Sequence, residues 1–175
     1  ESGQRTQPLV SFSKYRLQKG NPVVALFFAA VTGSTTTMEQ FFATCPRGLE
    51  VVLAEELRAF NAQRVHAVGG GVLFSGDFFL CYRVNLESRI ASRILWRITG
   101  GPYRHEQDIY RIAFAPRWTD WFEPTRTIRV DVSAIKSPLT SLNFITLKIK
   151  DAVCDKVRLL SRRRPNVDTR APDIP

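Results

Sequence analysis

Histidine, cysteine and methionine are scarce in this chain, which has two, three and one of them among 175 residues. Cys45, Cys81 and Cys154 stand far apart without a CxxC pair, and neither His66 nor His105 falls at ligand spacing from a cysteine. That scarcity speaks against a zinc knuckle, a dithiol redox motif and any structural metal, and suits a reduced, cytoplasmic protein better than a disulfide framework. Cys45 lies near Arg47, which could activate a thiol. No histidine with an orienting partner accompanies it, so it reads as a packing residue. Long apolar runs are missing too: residues 22–31 form a run about half the length of the roughly 20 residues that cross a bilayer. No paired carboxylates, nucleophilic triad or metal cluster can be assembled, so no catalytic residue is assigned and no chemistry is expected of this stretch alone.

Negative charge is the other shortage. Against 25 Lys and Arg there are 16 Asp and Glu, a net charge of +9 and a pI near 10.0, which favours polyanionic partners. The apolar fraction of 44% suffices for a folded core. The length allows one ordinary domain or two small ones.

Residues 1–37 differ from the rest, being rich in Ser, Thr, Gln and Gly around the one apolar run. Lys14, Arg16 and Lys19 before that run and Ala29 and Ala30 at its end imitate a secretory signal. Amphipathic patterning begins only after Met38, so residues 1–37 read as a leader or disordered extension. From there, residues 40–44 form a strand candidate, and Leu49, Val52, Leu53, Leu57 and Phe60 recur at helical spacing. Residues 64–68 and 72–75 are β-rich runs joined by Gly69-Gly70-Gly71, a hairpin turn that needs positive φ; a strand follows it, which argues against a phosphate loop. Asp77 caps a second helix expected to reach Ile90, with Leu80, Val84 and Ala91 inward. Arg89 and Arg93, near Glu87, are expected to fix its end. A strand over 94–99 completes the ferredoxin-like order βαββαβ across residues 38–101.

Residues 102–175 follow a different pattern. Asp108 is a candidate cap for a helix carrying Ile109, Ile112 and Ala113, and Trp118, Trp121 and Phe122 read as core rather than as a base-stacking platform. Residues 127–132 alternate as a half-buried strand. The longest helix places Ile145, Ile149, Val153, Val157 and Leu160 on one face. The fold class is therefore α+β.

Several blocks then resemble the N-terminal region of the bacterial large-subunit (23S) ribosomal RNA guanine-N(2) methyltransferase family. They are Thr44 with Arg47-Gly48-Leu49-Glu50; Gly70-Gly71-Val72 with Phe74 and Gly76; Ser88-Arg89-Ile90-Ala91-Ser92-Arg93-Ile94; and Asp108 with Tyr110. Lys148-Ile149-Lys150-Asp151-Ala152-Val153 with Asp155, Arg164-Pro165-Asn166-Val167-Asp168, and Ala171-Pro172-Asp173 complete the set. The resemblance implies a ferredoxin-like subdomain leading into a THUMP α/β domain that grips structured ribosomal RNA. It further implies a downstream S-adenosylmethionine-dependent domain that methylates a guanine amine. No Gly-rich loop for that cofactor and no Asn/Asp-Pro-Pro-aromatic motif is found here, so no cofactor is expected in this stretch, and further THUMP strands are expected beyond it.

Between Lys148 and Arg170, eight cations outnumber three aspartates. Lys148, Lys150, Arg158, Arg162, Arg163, Arg164, Asn166 and Arg170 are the candidate RNA-binding residues: the cations for phosphates, Asn166 with an arginine for a single-stranded end. Competing readings are a solvated helix end complementing the macrodipole, and an Arg-Pro-Asn-Val-Asp loop of purely structural use. A protein-interaction or ribosome-assembly adaptor that docks through the free sheet face is the alternative function.

Overall fold

A computed structural model describes residues 23–28, 37–132, 139 and 141–174. Its strands are β1 (Val23–Phe28), β2 (Glu39–Thr44), β3 (Gln63–Val68), β4 (Gly71–Gly76) and β5 (Arg93–Pro102). Its α-helices are α1 (Glu50–Ala59), α2 (Phe78–Glu87), α3 (Glu106–Phe114) and α4 (Leu142–Ser161), with a 3-10 turn at Trp118–Asp120. From β2 to β5 the order is βαββαβ, as the sequence pattern predicts. The sheet runs β1-β5-β2-β4-β3 with every neighbouring pair antiparallel. β1 comes from within the 1–37 segment and pairs with β5 from Val23↔Pro102 to Phe28↔Trp96. The signal-like features at Lys14, Arg16, Lys19, Ala29 and Ala30 lie outside the described residues.

One face of the sheet carries α1 and α2. Phe41 and Ala43 from β2, Val72 and Phe74 from β4 and Ile94 from β5 bury there against Leu53, Ala54 and Leu57 of α1 and Phe78, Cys81 and Val84 of α2. Phe41 stacks on Phe74 with ring centroids 5.3 Å apart and meets Phe78 edge-on at 5.6 Å. Each such ring contributes roughly 1.5–3 kcal/mol by leaving water. The inward stripe of α1 is thus Leu53, Ala54 and Leu57, while the expected Leu49 and Val52 stay 40% and 47% exposed. They lie at the helix entrance, rotated off the sheet. On the opposite sheet face Phe42 and Leu95 pack with Val68 and Leu73.

Two turns join this half together. Both Gly48 (φ +93°) and Gly70 (φ +89°) adopt left-handed backbone, and their N–H groups donate to the two carboxylate oxygens of Glu50 at 2.7 and 2.8 Å. Those bonds hold the Glu50 carboxyl below its ordinary pKa. Glu56 plays a similar part at the end of α2: Ser88 Oγ and the Arg89 N–H both donate to its carboxylate. Helix α2 ends at Glu87 rather than Ile90, because Ser88 turns to extended backbone and its hydroxyl accepts from the Ala91 N–H. Glu87 pairs with Arg83 one turn back at 3.1 Å, and Arg93 opens β5, its carbonyl accepting from the Thr44 hydroxyl at 3.3 Å. Asp77 does cap α2, accepting from Leu80 N–H at 2.8 Å. Burial and the nearby Glu50 carboxylate raise the Cys45 thiol pKa, in keeping with a packing role.

The second core gathers around α4. Ile145, Ile149, Ala152, Val153 and Val157 face Ile109 and Ala113 of α3, Trp118, Phe122, Ile128 and Ile174. Leu160, expected inward, is 42% exposed because the last turn of α4 runs past this core. Trp118 is fully buried and its indole N–H donates to the Ala113 carbonyl at 2.8 Å. Asp108 is not the cap of α3; His105 is. Asp108 stands three residues on and accepts from the Arg104 and His105 N–H groups, the acidic half of a capping box. Residues 127–132 do not form a named strand. Ile128 makes bridges parallel to Val167 on one side and Ile174 on the other.

β5 belongs to both cores. Ile94 enters the first core, Trp96, on the same face, touches both, and Ile98, where the register with β1 slips by one residue, packs on the second. Rings continue the contact, with Phe78–Trp96, Trp96–Trp121 and Trp118–Trp121 edge-on at 5.1, 5.5 and 5.6 Å.

Candidate nucleic-acid interface

The candidate cations emerge from α4 and the loop after it. Ser141 caps the helix start by accepting from the Phe144 N–H at 3.3 Å. At the other end Arg162 takes a left-handed conformation (φ +60°), and its N–H donates to the Arg158 carbonyl at 2.8 Å. This stops the helix, so Arg163 and Arg164 leave its axis. Ser161 steadies the turn, its hydroxyl donating to the Val157 carbonyl at 2.8 Å and accepting from the Arg163 N–H at 3.2 Å.

The loop beyond is held firmly. Pro165 is buried, and the Ile128 N–H donates to the Asn166 carbonyl while the Asp168 N–H donates to the Ile128 carbonyl, at 2.9 and 3.2 Å. Asp168 accepts from the Arg170 and Ala171 N–H groups at 2.8 and 3.0 Å. Asp173 accepts from the N–H and hydroxyl of Thr127 at 2.8 and 2.9 Å. These amides hold both carboxyls below the usual aspartate range, the Ala171 N–H contributing most at Asp168 and the Thr127 N–H at Asp173. The structural reading of the Arg-Pro-Asn-Val-Asp stretch therefore holds for its backbone and for Asp168. The Asn166 side chain remains exposed.

The seven candidate cations fall into two groups. Lys150 and Arg164 share Asp151 at 2.9 and 3.4 Å, and Lys148 lies over the Phe144 ring at 5.4 Å. Arg158, Arg162, Arg163 and Arg170 are exposed, and among the described residues no carboxylate pairs with them. The remaining acid of the region, Asp155, accepts from the Tyr110 hydroxyl at 2.9 Å. Burial, then the Asp155 hydrogen bond, raises the Tyr110 pKa. Thus the acids of this stretch are engaged by the fold while four arginines stay open, an arrangement suited to phosphate oxygens. Spacing along the sequence could not separate the two groups, because Arg164 reaches Asp151 thirteen residues back. Tyr110 and Lys156, whose ammonium lies 4.8 Å from the Phe114 ring, tie α4 to α3 and were not singled out by charge alone.

Among the described residues no group of three His, Cys, Asp or Glu could hold a metal, and no helix is long and apolar enough to cross a membrane.

The RlmL ferredoxin-like domain matches residues 40–95, and the THUMP domain matches residues 103–175. Ribosomal RNA large subunit methyltransferase K/L of Aeromonas salmonicida is 39% identical over 137 residues, which cover 78% of this chain and 19% of that protein. A putative RNA methyltransferase of Synechocystis is 35% identical over 80% of this chain and 36% of its own length. The chain therefore spans about a fifth of the large-subunit methyltransferases it matches. A crystal structure of a predicted N6-adenine-specific DNA methylase from Listeria monocytogenes superposes with a TM-score of 0.63 at 25% identity, over 73% of this chain and 33% of that one. The structure of SMU.472, described as a putative methyltransferase and complexed with SAH, gives a TM-score of 0.65 at 24% identity over 75% and 36%. At that identity the likeness speaks for the fold.

Proposed function

The chain belongs, half by half, to the RlmL ferredoxin-like and THUMP domain families, and from that premise we propose that it is the RNA-gripping part of an S-adenosylmethionine-dependent methyltransferase acting on 23S ribosomal RNA in the cytoplasm. Its role is to seat structured RNA so that a catalytic domain elsewhere in the same polypeptide reaches the N(2) amine of a guanine. The large-subunit methyltransferases among its relatives support the substrate class. The observation that carries the reading is the group of open arginines, Arg158, Arg162, Arg163 and Arg170, at the end of a helix whose own acids are engaged elsewhere. Lys148, Lys150, Arg164 and Asn166 flank them and complete the surface.

Phosphate contacts release counterions, so affinity should fall steeply with salt, by roughly 0.7–0.9 in log–log slope per contact. Titrating this chain with ribosomal RNA fragments at several salt concentrations tests the proposal. Changing Arg162, Arg163 and Arg164 together to Ala should weaken binding and flatten the slope by roughly two. A wild-type slope near zero, or a triple variant that binds like wild type, rules the interface out.

A further inference from the structure

We propose that the groove between α2 and the turn that follows α1 in the ferredoxin-like half binds an unpaired nucleobase of the RNA, an inference that rests on the RNA-binding reading above. The groove has a volume of about 400 Å³ and is lined by Met38, Phe60, Asn61, Gln63, Phe79 and Arg83, with Gly76, Asp77 and Leu80 at its floor. That volume falls in the range of small-molecule sites, roughly 300–1,000 Å³.

Its walls have the chemistry of a base site. Phe79 stands in the first turn of α2 and is 66% exposed, whereas its neighbour Phe78 already fills the core; Met38 beside it is 55% exposed. Asn61 is presented on a left-handed turn (φ +65°) just past α1. Among the described residues the side-chain amides of Asn61 and Gln63 make no hydrogen bond, so both keep an adjacent donor and acceptor for a base edge. The guanidinium of Arg83 lies over the Phe60 ring, 5.1 Å from its centre, its Nε donating to both Glu87 oxygens at 3.1 and 3.2 Å. With its charge met by Glu87 it offers a stacking plane rather than a phosphate contact. The Asp77 carboxylate at the floor disfavours a phosphate there and leaves the base as the part of a nucleotide that fits. Position agrees: the groove gathers the start of β2, the end of β4 and the start of β3, and Phe78 next to Phe79 meets Trp96 at the junction of the two cores.

Fluorescence anisotropy with a single-stranded RNA oligomer, the same oligomer carrying abasic sites, and a ribosomal RNA fragment tests this with Phe79→Ala, Phe79→Tyr and the double variant Asn61→Ala, Gln63→Ala. Phe79 is outside the core, so the variants should fold. Phe79→Ala should bind the intact oligomer roughly ten-fold more weakly, as loss of one stacked base does, with the salt slope unchanged. Phe79→Tyr should retain affinity, and abasic oligomers should not distinguish wild type from Phe79→Ala. If wild type binds with a salt slope while all variants match it, the base site is wrong and the basic interface stands. If wild type shows no salt-dependent binding, the RNA reading fails and the groove proposal with it.

Discussion

A Cβ at position 71 would lie 2.2 Å from the Ala43 carbonyl oxygen and 2.6 Å from the Phe42 ring, both on the neighbouring strand β2. Gly70 has open space around it but needs φ +89°. The two glycines of one turn thus serve different needs, room at one and conformation at the other. In the sequence they look alike, and only the demand for a tight turn was legible. Gly71→Ala should cost about 2–3 kcal/mol, the usual range for forcing atoms into a packed interior, measurable as a lower urea midpoint with an unchanged slope. A variant as stable as wild type would mean that β2 and β4 part easily at this point. Glu50 shows the same limit of sequence reading. It stood out within a family block, but its use as a clamp between Gly48 and Gly70 depends on a pairing twenty residues away.

Among the elements, those with strong helical or hairpin patterning were readable: α1, α2, α4 and the β3–β4 turn each fall within a few residues of expectation. Asp108 was misplaced because an acid at the third position of a capping box and an acid at the cap look the same before a helix. Residues 127–132 alternate like a strand, yet Ile128 pairs with Val167 and Ile174 through isolated bridges rather than a continuous ladder. The loop after α4 owes its order to Asp168 and Asp173, and this has a pH signature. Both carboxyls have folded pKa values below the unfolded value of about 3.9. Their contribution is complete above that value and is lost as pH falls through the lower folded values. Stability should therefore decline below about pH 4. A double variant Asp168→Asn, Asp173→Asn should be weaker at neutral pH and decline less steeply in acid. Urea midpoints from pH 6 to 2 that run parallel for the two proteins would remove these groups from the account.

At the scale of the whole molecule, the sequence indicated two halves but not what joins them. Trp96 does so, touching both cores and donating its indole N–H to Glu39 at 3.1 Å. No periodicity marks it, since its partners Phe78 and Trp121 come from different halves. Trp96→Ala should destabilise the chain by about 3 kcal/mol, toward the lower end of aromatic truncations in cores. It should also split a single unfolding transition into two, seen by calorimetry. One cooperative transition with that side chain removed would assign the coupling to β5 backbone pairing instead.

The pleat of β5 sets a parity rule for the two halves. Ile94 and Trp96 share a face because strand side chains alternate with a period of two, whereas the register with β1 slips by one residue at Ile98. One residue inserted or deleted between them would turn either the first core's anchor or the second's toward the opposite face, whereas a change of two would keep both inward.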